Sequence, residues 1–424
     1  MTRRGRLAWA LAAALALGGC GSKSPLRVPD PGPDAGVRDG GPRDAGTDAG
    51  PTPDECVALP FREPPREVGV EFVTQIRTAD VLFLVDVTGS MGEEISAIRR
   101  QLRERIVPGL AAEIPDARFS VAHFADFPLP EHNYGEEGDQ LYRLATPSTP
   151  DVAAVQRAVD ELPLQGGRDG PEAMVEALFL SATGQGLGAF APAARCPAGT
   201  VGYPCFRREG ARIVLAFSDA PSHNGPGGSE PYREGTVRPR PHTYEEAVNA
   251  LRGIGAKVLG LYSGGSGGLG RRDLVALARD TGAVRGDGTP VVLDIGREAE
   301  ELGPSVVEAV RSLVDEVPID VDLRVEDVEG DAVDVTDFVE AVVAVRAEPP
   351  DGATRLEDRF TGVVPGTRLR FAVRLFNERI PQTDERQSFL MRLVVRGDRV
   401  TRLSETLVQI DVPPIGGGVV CPGF

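Results

Sequence analysis

The sequence predicts an α/β fold, a doubly wound and mostly parallel sheet, followed by an antiparallel β-sandwich. Two patterns predict it. Between Ala79 and Val317, short runs that are apolar throughout alternate with amphipathic stretches, as in a parallel sheet covered on both faces by helices. After Pro318 the texture changes to period two, with turn residues between the runs, as in an antiparallel sandwich of roughly 100 residues.

The chain has 424 residues, enough for two or three domains. Residues 1–20 read as an export signal. Arg3, Arg4 and Arg6 form a basic start, and LAWALAAALAL follows, too short for a stable membrane span. Leu17-Gly18-Gly19-Cys20 then resembles a bacterial lipobox, which makes Cys20 the lipidated first residue of the mature chain; an ordinary signal peptide cut nearby is the alternative. Gly21 stands where retention in the inner membrane favours Asp, so the resemblance implies a lipid-anchored protein of the cell envelope, at the outer membrane. Residues 21–55 are Pro, Gly and Asp with little else, a composition that cannot build a core and reads as a disordered tether.

Residues 56–78 include VGVEFVTQI, a strand-like segment and a candidate to pair with the C-terminal domain. The α/β domain, residues 79–317, would then be an insertion. Its strands are VLFLVD (81–86), RFSVAHF (118–124), RIVLAFSD (212–219) and KVLGLYS (257–263), with a short VVL at 291–293. Helices are expected at 93–112, 151–161, 171–184, 243–253, 271–280 and 297–316. In the first of them Ile95, Ile98, Leu102, Ile106 and Leu110 recur every three or four residues as one apolar face. Residues 318–424 carry the period-two runs IDVDLRVEDV, AVDVTDFVEAVVAVRAE, TRLRFAVRLFNE, SFLMRLVVRG and TLVQIDVP.

Four cysteines remain after Cys20, an even number in an exported chain. Cys196 and Cys205 close the short loop CPAGTVGYPC, and Cys56 and Cys421 flank the folded region. Two disulfides, Cys196–Cys205 and Cys56–Cys421, are expected; four free thiols are the alternative. A zinc site is disfavoured by the lack of CxxC or an adjacent His.

Lys and Arg total 46 against 63 Asp and Glu, for a net charge of -17. That balance, with no basic stripe interleaved with aromatics, excludes nucleic acid as a partner and leaves the lipid anchor as the sole membrane contact. An acidic chain can hold divalent cations. Asp86 ends the first strand, with Thr88 and Ser90 in the turn after it; Asp219 ends the RIVLAFSD strand; Asp169 and Glu172 lie in the Gly/Pro-rich turn of GGRDGPEAMVEALFL. In a doubly wound sheet these loops share one edge, where ligands bind. All-oxygen ligation favours Mg2+, Mn2+ or Ca2+. Two plainer readings stand beside this one. Thr88 and Ser90 suit a hydroxyl-capped strand-to-helix turn, and Glu93 and Glu94 suit the first turn of a helix.

Asp-x-Thr-x-Ser after one strand and Ser-Asp-Ala after another resemble the metal-ion-dependent adhesion site (MIDAS) of von Willebrand factor type A (vWA) domains. Met91 with Glu93 and Glu94, HFADF ending in Asp126, Asp169-Gly170-Pro171-Glu172, and a Cys196–Cys205 loop ahead of Ser218-Asp219-Ala220 resemble one branch, the I-like domain of integrin β subunits. The resemblance covers about residues 79–316. It implies a central Mg2+ or Mn2+ held by Asp86, Thr88, Ser90, Glu172 and Asp219. It also implies adjacent Ca2+-type sites, one from Ser90, Glu93 and Glu94, and one from Asp126, Asp169, Pro171 and Glu172. Gly167 stands where the family has an Asn ligand, with Arg168 beside it.

The function implied is cation-dependent binding of a protein partner, whose exposed acidic side chain completes the metal shell. A structural envelope component with a permanently held ion is the alternative. Catalysis is not expected: Ser90 has no GxSxG elbow, and GSGGLGRRD at 266–273 lacks the GK[ST] ending of a phosphate loop. His123, His132, His223 and His242 share no spacing and read as loop or packing residues.

Overall fold

The computed structural model describes residues 52–264, 268–296, 301–330, 332–418 and 420–421. The export signal, Cys20 and the tether up to residue 51 lie outside the described residues. Among the described residues, no helix is long and apolar enough to cross a membrane.

Thr78–Asp86 is central in a six-stranded sheet, with Asp116–Phe124 and Ala211–Ser218 as parallel neighbours. Ala256–Tyr262 and Val292–Asp294 extend the sheet in parallel on one side. Val81 to Val85 have no exposure, because helices cover both faces and every side chain must therefore be apolar. Phe83 lies with ring centroids 6.2 Å from Phe217 and 6.3 Å from Phe119. Phe83→Ala is expected to cost about 3–5 kcal/mol, read as a shift in the denaturant midpoint.

The sheet has a sixth strand that the sequence pattern does not reveal. Arg143–Thr149 pairs antiparallel with Asp116–Phe124 at the edge. Its residues, RLATPST, bury one position in seven, so no apolar period marks it.

The helix expected at 93–112 is broken. It runs over Gly92–Gln101, widens to a π turn over Leu102–Ile106 and resumes over Val107–Glu113. Pro108 explains the widening: it has no N–H to donate and its ring crowds the preceding turn. The predicted apolar residues Ile95, Ile98, Leu102, Ile106 and Leu110 are all buried. The helix expected from 171 begins only at Met174, because Glu172 is drawn into a bridge with Ser222.

The remaining strands form two sheets. Six strands run in the order Glu55–Ala58, Thr401–Val412, Gln387–Gly397, Ile319–Asp327, Arg359–Val363, Thr354–Arg355, and three in the order Val339–Glu348, Arg368–Leu375, Arg66–Val73. Val68, Phe371 and Val373 of the second sheet share one apolar core with Val321, Leu393 and Ile410 of the first. The chain enters these sheets first, leaves for the α/β sheet at Thr78 and returns at Ile319. One pairing departs from the antiparallel pattern: Glu55–Ala58 runs parallel to Val408–Asp411. Glu55, expected at the end of the tether, is already in that strand. Leu403 packs against both cores, and Lys257 reaches Asp398 across the junction at 2.9 Å. Both expected disulfides are present, Cys56–Cys421 and Cys196–Cys205.

Candidate metal centre

Parallel register brings the ends of three strands to one edge. Asp86 lies opposite Phe124, and Val85 opposite Phe217. The next residues therefore project into a common crevice: Thr88 and Ser90 from the first strand, Asp126 from the second, Asp219 from the third. Two hydroxyls fix the fully buried Asp86 carboxylate. Thr88 donates its hydroxyl to Oδ1 at 2.6 Å and its N–H at 3.0 Å, and Ser218 donates to Oδ2 at 2.8 Å. Ser90 donates to Asp219 Oδ1 at 3.0 Å.

Glu172 reaches the same crevice from the turn before the Met174–Thr183 helix. Its backbone is pinned on both sides, its N–H on the Pro221 carbonyl at 2.9 Å and its carbonyl accepting from His223 N–H at 2.8 Å. Gly167 lies over its carboxylate at φ +68°, and a Cβ there would come within 2.9 Å of Glu172 Oε1 and 3.5 Å of Thr88 Cγ2. Any side chain would collide with the acid and strain the backbone. Asp139, a residue that sequence reasoning missed, holds this loop by accepting from the N–H groups of Gly166 at 3.1 Å and Gly167 at 3.0 Å.

The carboxyls are short of positive charge. Burial pushes the Asp86 pKa up to about 6 against the hydrogen bonds from Thr88 and Ser218. Burial, then the charges of Asp86, Asp126, Asp169 and Asp139, push Glu172 up to about 11. Glu172 Oε2 is buried with no hydrogen-bond partner. Such a site holds a proton in place of a cation, and its all-oxygen donor set fits a hard divalent ion. Asp86, Glu172 and Asp219 do not close to within 4.8 Å of one another as a mutual ligand group.

The two adjacent sites fare differently. Glu93 is exposed while Glu94 is buried. Burial raises the Glu94 pKa despite a hydrogen bond from Ser263. Ser90 donates to Asp219, and the charges of Asp219 and Glu93 both bear on Glu94. Asp126 and Asp169 do come together, and the third member of their cluster is His223. Its Nε2 lies 3.3 Å from Asp126 Oδ2 and 3.2 Å from Asp169 Oδ2. His223 sits in a buried turn and packs against Tyr134 and Tyr232, as a loop or packing residue does, and it also touches two carboxylates, which the sequence reading did not foresee. Half-buried Pro171 stands in the segment between Asp169 and Glu172. Arg168 makes no ion pair with these acids among the described residues; its guanidinium donates to the Pro130 carbonyl at 3.5 Å.

No family model matches the sequence, and no curated protein matches it. Among solved structures, the chain is similar to a von Willebrand factor type A protein from Catenulispora acidiphila, with 13% identity, a TM-score of 0.35, and 86% of this chain and 72% of that one covered. It is also similar to the pilus adhesin SpaC from Lactobacillus rhamnosus GG, with 11% identity, a TM-score of 0.35, and 84% of this chain covered. It spans about half of that adhesin, 47%.

Proposed function

We propose that the chain is a vWA-type binding protein, nearest in its motifs to integrin β I-like domains, that captures an acidic group of a protein partner through a MIDAS-type Mg2+ or Mn2+. Asp86, Thr88, Ser90, Glu172 and Asp219 are the proposed donors. A lipid at Cys20 would tether it to the cell envelope, at the outer membrane.

One observation carries this reading: the donors are graded in exposure. Asp86 and Glu172 are buried, Asp219 is half-buried and Ser90 is exposed. An ion held by them would have protein on one side and solvent on the other, leaving a coordination position for an incoming carboxylate. The proposed role is binding without catalysis, with the Ser90 hydroxyl committed to Asp219. The second reading, a permanently held structural ion, rests on the burial of Asp86 and Glu172.

Calorimetric titration with Mg2+ and Mn2+ tests the proposal. The wild-type chain is expected to bind, and Asp86→Ala to weaken binding at least tenfold, about 1.4 kcal/mol, while keeping its circular dichroism spectrum. Folded wild-type protein that binds neither ion at millimolar concentration would sink the central site. Slow exchange of a tightly held ion, with partner binding unaffected by EDTA, would favour the structural role.

A further inference from the structure

The His223 cluster does not need the central ion. Four side-chain atoms there are buried without a hydrogen-bond partner: Asp126 Oδ2, Asp169 Oδ1, Glu172 Oε2 and His223 Nε2. The Asp126 side chain is fully buried and that of His223 is 5% exposed. Buried polar atoms are almost always partnered, and the 3.3 and 3.2 Å separations let either a proton on Nε2 or a cation in its place satisfy the Asp126, Asp169 and His223 cluster.

The surroundings say which atoms face that occupant. His223 Nδ1 lies 2.8 Å from the Glu230 carbonyl. A carbonyl only accepts, so Nδ1 carries a proton, and a cation that displaces the Nε2 proton would meet that nitrogen's lone pair. Asp126 Oδ1 is already committed, accepting from Tyr232 Oη–H and from Phe127 N–H, which leaves Oδ2 free. Tyr232 at 4.1 Å and Tyr134 at 5.3 Å, centroid to centroid, wall the imidazole and fix its plane. The Asp169 side chain is 24% exposed and gives a path from solvent.

We propose that Asp126, Asp169 and His223, with Glu172 beside them, form a second metal centre for a borderline transition-metal ion of the Zn2+ class. The nitrogen donor decides the class. Ca2+ takes six to eight oxygens, whereas one imidazole with two or three carboxylates suits Zn2+. The Nε2 to carboxylate separations of 3.3 and 3.2 Å match the edge of a tetrahedron with bonds of about 2.0 Å. His223 supplies a side-chain donor where Gly167 has none to offer.

Cobalt and zinc are the probes, applied to the whole chain after EDTA treatment. One equivalent of Co2+ is expected to give the intense visible bands of a four-coordinate ion, and Zn2+ to abolish them. Asp86→Ala should leave the bands in place, which separates this centre from the central one. His223→Gln and Asp169→Asn should each lower Zn2+ affinity by about a hundredfold or more, and millimolar Ca2+ should not compete. Asp169 is partly exposed, so its variant keeps the test valid if His223→Gln fails to fold. The proposal is overturned if wild type takes up no Zn2+, in which case a protonated His223 bridges the two acids. It is equally overturned if both folded variants bind Zn2+ as wild type does, or if Ca2+ displaces the ion.

Discussion

In EDTA, thermal stability is expected to fall as pH rises from about 5 to 9, and Glu172→Gln is expected to remove much of that fall. The sign follows from the direction of the shifts. Asp86 is pushed up to about 6, Glu172 to about 11 and His223 to about 10; for His223, burial opposes the charge but Asp126 and Asp169 outweigh it. Groups raised in the folded state hold their protons more tightly there. Their stabilising contribution is full below the unfolded values, near 4 for carboxyls and 6.5 for His, and is lost as pH rises through the folded ones. Between those limits each group contributes a slope of roughly 1.4 kcal/mol per pH unit.

Gln mimics the protonated Glu172 that the crevice prefers. The variant should therefore be more stable than wild type at pH 8 by on the order of a few kcal/mol, and it should lose Mg2+ or Mn2+ binding. For wild type, cation at a hundredfold excess over Kd should restore about 2.7 kcal/mol. Scanning fluorimetry across pH, in EDTA and in Mn2+, reads all of this. A wild-type melting temperature that is flat or rising with pH in EDTA would contradict the account.

Replacing Cys56 and Cys421 by serine is expected to cost about 4–5 kcal/mol. The bridge spans 365 residues, and constraining so long a loop removes much entropy from the unfolded chain. It also fastens a strand of four residues, Glu55–Ala58, at the sheet edge. Cys421 N–H is bonded at 2.7 Å to the buried Asp411 carboxylate, which also accepts from Ser388 and Gln409. Replacing Cys196 and Cys205, only nine positions apart, should cost roughly 2–3 kcal/mol. Urea transitions followed by circular dichroism compare the two. Equal losses would show that loop length is not the governing term.

Much of this was legible because burial on both faces leaves no choice of residue. Val81 to Val85 read as a parallel strand from sequence alone, and the polar residues just past it stood out for that reason. Arg143–Thr149, at the edge, carries no such signature. Asp86, Thr88 and Asp219 were legible by position at strand ends. His223 was not: a backbone bridge between Glu172 and Ser222 sets it beside Asp126 and Asp169, and no spacing along the chain encodes that meeting. Glu93 and Glu94 were legible as acids of a helix's first turn, which is where the structure has them, one exposed and one buried.

The strand Thr78–Asp86 has a mechanical consequence. It begins where the chain leaves the sheets of the second core and ends at the carboxylate-lined crevice, with parallel partners along both sides. Tension between those two ends runs along its axis. Its ladder hydrogen bonds then bear load together, in shear, and cannot be unzipped one at a time. A pull arriving through the chain ahead of Asp54 meets the Cys56–Cys421 bond before it can peel the edge strand away. The molecule is braced along the line that joins its N-terminal entry to the edge where Asp86 and Asp219 lie.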